Sequence, residues 1–397
     1  MLDDRPSDRR GPGDPVPTAP VPVASVPVPI PVVDWTWIPK VELHCHLEGT
    51  MRPDTVADLA AKNGVEIGTP DPTSLYDYDD LTGFLDVFWL VQSVLVEPDD
   101  WERLAFESMC DGARHGLRHR EAFFTPSRHL AAGQDLAGIV AALDSGLAVA
   151  ERVTGATCTL IFDIDRDFGP TIADDHVGRL VELRRSGAPG ADRVVGIGMD
   201  STELGIDPMS FASAYEMAGR SGLRRTAHQG ESSPAAAIRA AVDGLGCERI
   251  DHGISIFQDP ELVARFADEQ IPLTVCPSAN VRINPSLVAD LDDHVFPAMR
   301  DADLLATLNT DDPALVGLDL DSEYAACADA YGYDTSDMVE LALDAVRASW
   351  LDSGDATVLM AEIKAAAADA RSRAAAADAR SRAAAADARS RVAAAAG

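Results

Sequence analysis

The sequence predicts an α/β chain closed into a (β/α)8 TIM barrel with extra helices after its first strand. Three observations predict it. Short β-rich runs alternate with helical ones, the pattern that gives a parallel sheet. The runs number eight, the count that closes such a sheet on itself. Polar side chains collect at the C-terminal ends of those runs, the rim where such barrels carry their chemistry.

Taken in order, residues 1–33 read as a disordered, polyproline-like extension. Its valine-rich text VPVASVPVPIPVV is broken by prolines throughout, so it lacks the compact apolar helix of a signal peptide. The barrel domain is expected over residues 34–364, with strands at VELHCHLEG, EAFFTPS, CTLIFDID, VVGIGMDS, RRTAHQG, ERIDHGI, LTVCPSAN and LLATLNTDD. Helical runs such as PMSFASAYEMAGRSG, SPAAAIRAAVDGLG and DPELVARFADEQ lie between them. The surplus over a typical barrel falls after the first strand, where FLDVFWLVQSVL reads as a helix for core packing or a lid over the barrel mouth. Residues 365–397 repeat AAAADARSR three times. Nine residues make two and a half helical turns, so successive repeats face opposite sides and a solvated helical tail is expected.

Composition narrows the function. A formal charge of −32 repels nucleic-acid phosphates and anionic membranes, so neither is an expected partner. No apolar run reaches the roughly 18 residues of a membrane span. The six cysteines form no CxxC pair, which suits free thiols in a cytoplasmic protein. Oligomeric state is left open.

The first strand raises the sharpest question, because His44 and His46 sit one residue apart in an apolar run. Residues i and i+2 of a strand share a face, so the two imidazoles project side by side. Around the rim they are joined by Glu48, by Asp200 and Glu203, and by His228 and Glu231. Asp251 and His252, Ser278 and Asn280, and Asn309, Asp311 and Asp312 complete the ring. Three histidines and a carboxylate with a position left for water make a catalytic zinc environment. His44, His46, His228 and Asp311 would be its ligands, one Zn2+ per chain. Expelling a poor leaving group also needs a proton donor and a base. Glu231, three residues after His228, can stand over the metal face, and His252 and Asp312 reach in from neighbouring strands. Each has a plainer alternative: Glu231, Asp311 and Asp312 as helix caps, His252 as a core histidine.

The ordered set HCHLEG, MDSTE, AHQGE, RIDHG, TVCPSAN and TLNTDDPA resembles the adenosine/adenine deaminase family of zinc aminohydrolases. The resemblance spans roughly residues 39–324 and implies hydrolytic deamination at C6 of a 6-aminopurine, a small-molecule substrate. By motif position it implies zinc on His44, His46, His228 and Asp311, ring N1 protonated by Glu231, and His252 as base and electrostatic partner of the attacking water. Asp312 is implied to contact the purine. Glu48 in HLEG, the short DSTE that ends in Glu203, Asp251 in RIDHG and the NTDDPA ending look more like the adenine deaminase branch than the nucleoside branch. Glu48 and Glu203 are accordingly expected at the substrate, and adenine is the expected substrate. Adenosine, deoxyadenosine or an N6-substituted adenine is the alternative. Gln229 and Ala279 depart from the residues usual in AHQGE and CPSAN. A deaminase-like binding protein without turnover is disfavoured because every ligand and acid position is present. A two-metal barrel hydrolase is disfavoured because no lysine lies within the expected barrel strands.

Overall fold

The computed structural model describes residues 34–396, so the expected proline-rich extension lies outside the described residues. Eight parallel strand runs form one closed ring. The first sheet holds β1 (Lys40–Glu42), β2 (Leu117–Phe124), β3 (Thr157–Asp165), β4 (Val194–Asp200) and β5 (Arg224–Arg225) in chain order. The second holds β6 (His228–Gln229), β7 (Ile250–His252), β8 (Leu273–Val275) and β9 (Ala306–Leu308). β5 and β6 are two halves of one run. Between them Thr226 donates its N–H to Ile197 O at 3.0 Å, and Ala227 O accepts from Asp251 at 3.0 Å, so the two sheets are continuous.

The remaining seam closes beyond the regular strands. Asp311 N–H donates to His44 O at 3.1 Å, and His46 N–H donates to Asp311 O at 2.8 Å. Across the other edge, Leu47 N–H reaches Phe123 O at 2.9 Å. Regular pairing of the first strand therefore stops at Glu42, earlier than expected. The following HCHL segment is held by these isolated bridges instead. Leu47 is helical (φ −58°, ψ −42°) and starts a 3-10 turn over Glu48–Thr50, so the strand does not run extended to Glu48. CPSAN also departs from expectation. Its strand ends at Val275, and Pro277 opens a helix (Pro277–Ile283) that carries Ser278 and Asn280, proline being well suited to a first helical position.

Inside the lower barrel the side chains are charged and paired. Arg120 reaches Glu42 at 2.7 Å, and Arg249 reaches Glu121 at 2.6 Å, all four buried. The Arg249 guanidinium also lies 4.0 Å from the Trp350 ring centre, and Trp350 N–H donates to Glu121. Helices wrap the ring, and the helix Leu81–Ser93 lies at its mouth. Phe84 and Phe88 on it are buried and also line the central cavity, so core packing and covering the mouth are one role. The last helix, Ser353–Ala396, is continuous across residue 365 and takes in the repeats. Ile363 and Ala367 on it are buried, so the repeat region's first turn still packs. Among the described residues no helix is long and apolar enough to cross a membrane, and all six cysteines are free thiols.

Arg249→Met leaves the buried Glu121 without its cation. Breaking a buried pair from one side costs about 3–5 kcal/mol. The expected outcome is a urea midpoint lowered by that equivalent. An unchanged midpoint would mean that Glu121 finds another partner.

Candidate active site

The site is built where the strands end, and its floor is Phe123 at the end of β2. The His46 ring stacks on Phe123 with centroids 5.0 Å apart, and His44 meets it edge-on at 5.2 Å. Alternation in the HCHL segment turns both imidazoles inward while Leu43, Cys45 and Leu47 are fully buried in the surrounding core. His44 Nε2 stands 3.1 Å and His46 Nε2 3.5 Å from one oxygen, Asp311 Oδ1. His46 Nε2 is 3.1 Å from His228 Nε2. The four expected ligands are thus neighbours, His44 and His46 meeting at Asp311 Oδ1 and His46 meeting His228. His252 also joins them: His44, His228, His252 and Asp311 each offer an atom within 4.8 Å of the others. Asp311 and His252 hold left-handed backbone angles, φ 63° in both, unusual for residues with a Cβ and common where a site fixes a side chain.

The electrostatics of this cluster suit a cation. Burial, then the neighbouring imidazoles, push His228 well below the usual histidine range. Burial lowers His46 to about 3. Both are held neutral, with lone pairs to offer. Burial lowers His44, but Asp311, with Asp251 and the Thr274 carbonyl, together raise it above the usual histidine range. Its Nδ1 is 3.1 Å from Thr274 O, an acceptor only, so Nδ1 carries the proton and Nε2 faces the ring. Carboxylates stand behind the other two, with Asp163 Oδ2 3.8 Å from His46 Nδ1 and Asp251 Oδ2 3.7 Å from His228 Nδ1. Neutral imidazoles backed by carboxylates, facing one anionic oxygen, are the donor set of a zinc site. The surrounding charge agrees. Burial, then the fields of neighbouring carboxylates, push Asp163, Asp200 and Asp312 far above the usual carboxylate range. A nearby dication would offset that excess.

Beside the ring, Glu231 lines the cavity with one carboxylate oxygen occupied and the other open. Oε1 accepts from Asn280 Nδ2 at 3.0 Å and from Asn284 Nδ2 at 2.9 Å, while Oε2 lies 4.0 Å from His252 Nε2. Burial raises this carboxyl above its ordinary value. Glu231 is not a helix cap. Asp312 does occupy the N-cap position of the helix Pro313–Val316, but its side chain makes no cap hydrogen bond and its buried Oδ1 has no partner. Asp312 lines the same cavity. Its carboxylate fits only because residue 49 is glycine: a Cβ there would fall 1.8 Å from Asp312 Oδ1.

Two expected substrate contacts are placed differently. The helical Leu47 turns Glu48 aside, so it does not share the inward face with His44 and His46. Its Oε1 accepts the Thr125 N–H at 2.8 Å, and burial raises it to about 7. Glu203 lies outside the cavity lining. Its carboxylate accepts the N–H groups of Gly230 (2.8 Å), Glu231 (3.1 Å) and Ser233 (3.1 Å), so it shapes the loop that carries Glu231. Gln229 ends β6 just before that loop and accepts from its Ser233 Oγ at 3.4 Å, and Ala279 is simply buried in its helix. Residues the sequence did not single out are Thr125, Asp163, Thr274, Asn284 and His294. Asp163 carried a signal, an acidic residue inside the apolar run IFDID. The others carried none.

The family model described as adenosine deaminase matches residues 39–366. The chain belongs to the adenosine deaminase family. It is a metal-dependent aminohydrolase. An adenine deaminase of Streptomyces coelicolor is 38% identical over 321 residues, covering 80% of this chain and 92% of that one. Among solved structures, the adenine deaminase from Arthrobacter aurescens superposes with a TM-score of 0.77 at 34% identity, covering 82% of this chain and 98% of that one. An amidohydrolase from Burkholderia ambifaria with bound Zn gives 0.77 at 32% identity, covering 84% and 93%.

Gly49→Ala is expected to force the Asp312 carboxylate out of place while leaving the ligand ring alone. Displacing a substrate contact by about an ångström costs roughly 10²-fold. The enzyme should keep its bound metal by elemental analysis and lose about that factor in kcat/KM. Wild-type kinetics would show that Asp312 does not act on substrate.

Proposed function

We propose that the chain hydrolyses adenine to hypoxanthine and ammonia, with one zinc ion on His44, His46, His228 and Asp311. The convergence of three imidazoles on the Asp311 carboxylate, beside a raised and half-engaged Glu231, carries this reading. Relatives named adenine deaminase, at 38% and 34% identity over most of the chain, favour the free base as substrate. When bound, zinc supplies the Lewis acidity that brings the pKa of a water from near 16 to about 7.

The chain's own groups do the rest. In the net reaction the C6–O bond forms and the C6–N bond breaks. The two protons of the water end on ring N1 and on the departing amine. Glu231 holds the first of these: Oε1 is engaged by two amides, so Oε2 carries the proton to be given to N1. Its raised pKa keeps it protonated to higher pH than an exposed glutamate, and activity should fall as pH rises through that value. His252 stands beside the reacting oxygen and Asp312 against the purine. Phe84 and Phe88 exclude water above the ring plane. The small lining of the cavity, with Asp200 and Ser201 on its rim, suits a planar base.

Three outcomes test this. Purified protein should carry about one zinc per chain, and His46→Ala should lose both metal and turnover; stoichiometric zinc with unchanged turnover would remove His46 from the ligand set. Glu231→Gln should keep zinc and lose roughly 10²–10⁴ in rate, the range for general acid–base groups. A rate within a few-fold of wild type would remove the acid role. Finally, kcat/KM should be higher for adenine than for adenosine in a spectrophotometric assay. Adenosine as the better substrate would overturn the substrate while leaving the reaction type.

A further inference from the structure

Five side chains offer donors around the cluster, one more than the proposed zinc site uses: His44, His228, His252 and Asp311 lie within 4.8 Å of one another, while His46 joins through Asp311 Oδ1 at 3.5 Å and His228 Nε2 at 3.1 Å, so proximity does not exclude His252. A chain of hydrogen bonds does. It begins at His294, a buried residue after the short turn Leu291–Asp293. The Phe296 backbone N–H, which can only donate, lies 3.0 Å from His294 Nδ1. Nδ1 is therefore the acceptor, and the neutral ring carries its proton on Nε2. That Nε2–H lies 3.2 Å from Asn280 Oδ1 and fixes which end of the amide is oxygen. The Asn280 NH2 must then point the other way. Its two hydrogens meet Glu231 Oε1 at 3.0 Å and His252 Nδ1 at 3.2 Å. With Nδ1 accepting, a neutral His252 bears its proton on Nε2, the nitrogen that faces Glu231 Oε2.

We propose that His294 is a positioning residue that, through Asn280, sets His252 as an Nε2–H donor rather than a metal ligand or base and leaves Oε2 of Glu231 as the acid oxygen. The consequence reaches both halves of the site. An imidazole with a protonated Nε2 has no lone pair there for a metal, so the donor set is completed by His46. The same N–H stabilises negative charge developing on the attacking oxygen. One backbone amide, that of Phe296, thus sets the proton positions of two groups it does not touch. The donor role of His252 rests on the deaminase reading above; its tautomer does not.

The experiment compares His294→Gln with His294→Met in the zinc-loaded enzyme. The two side chains match in length, and only glutamine has an N–H at the Nε2 position. His294→Leu replaces the methionine variant if that one does not fold. In 15N-histidine-labelled wild type, the His252 resonances, assigned by their loss in His252→Gln, should show a protonated Nε2 and an unprotonated Nδ1. His294→Gln should keep that pattern. His294→Met should lose it, with zinc content unchanged, kcat down about 10–100-fold as for residues that orient a site, and KM within a few-fold. An unprotonated Nε2 on wild-type His252, or a pattern and kcat that survive His294→Met, overturns the proposal. If wild type deaminates no 6-aminopurine, the functional reading fails, and the labelled spectra still decide the tautomer.

Discussion

The contact on which the structure depends is the one between Asp311 and the HCH segment. The Asp311 backbone exchanges hydrogen bonds with His44 and His46, closing the last strand onto the first. Its side chain faces the same two residues' imidazoles. Barrel closure and assembly of the ligand ring are therefore one event. The left-handed backbone of Asp311 is what lets a single residue do both, because it turns the carboxylate inward at the point where the chain leaves the strand.

Charge explains the division of the interior. The lower barrel pairs its buried ions within the protein, Glu42 with Arg120 and Glu121 with Arg249. The upper barrel does not: Asp163 and Asp312 leave carboxylate oxygens without hydrogen-bond partners. Buried carboxyl groups without partners are costly, and such groups are kept where a site uses them. The uncompensated side of the molecule is the side that holds the histidine–aspartate cluster and the cavity lined by Glu231 and Asp312. Glu203 marks the boundary. It sits between the site and the surface and spends its carboxylate on the loop amides that hold Glu231 in place.

Much of this was legible in the sequence because it is local. Two histidines at i and i+2, a histidine three residues before a glutamate, and paired aspartates before a proline each project a side chain from a strand end. Eight such ends make a rim. What was not legible depends on where the chain bends. HLEG reads as a strand, yet Leu47 turns helical and takes Glu48 to the Thr125 amide, so the carboxylate expected at the substrate is elsewhere. Glu203 reads as a rim carboxylate, yet amides 27 to 30 residues on claim it. His294 gave no sign at all, since its role depends on a partner 14 residues away and on a backbone N–H.

The proposed function has hydrolysis depend on a single zinc held at the Asp311 carboxylate. The most direct measurement is to strip the metal with a chelator and titrate zinc back while following adenine loss. Activity should return linearly and stop at one equivalent per chain. Full turnover in the stripped protein, or an end-point near two equivalents, would contradict the account.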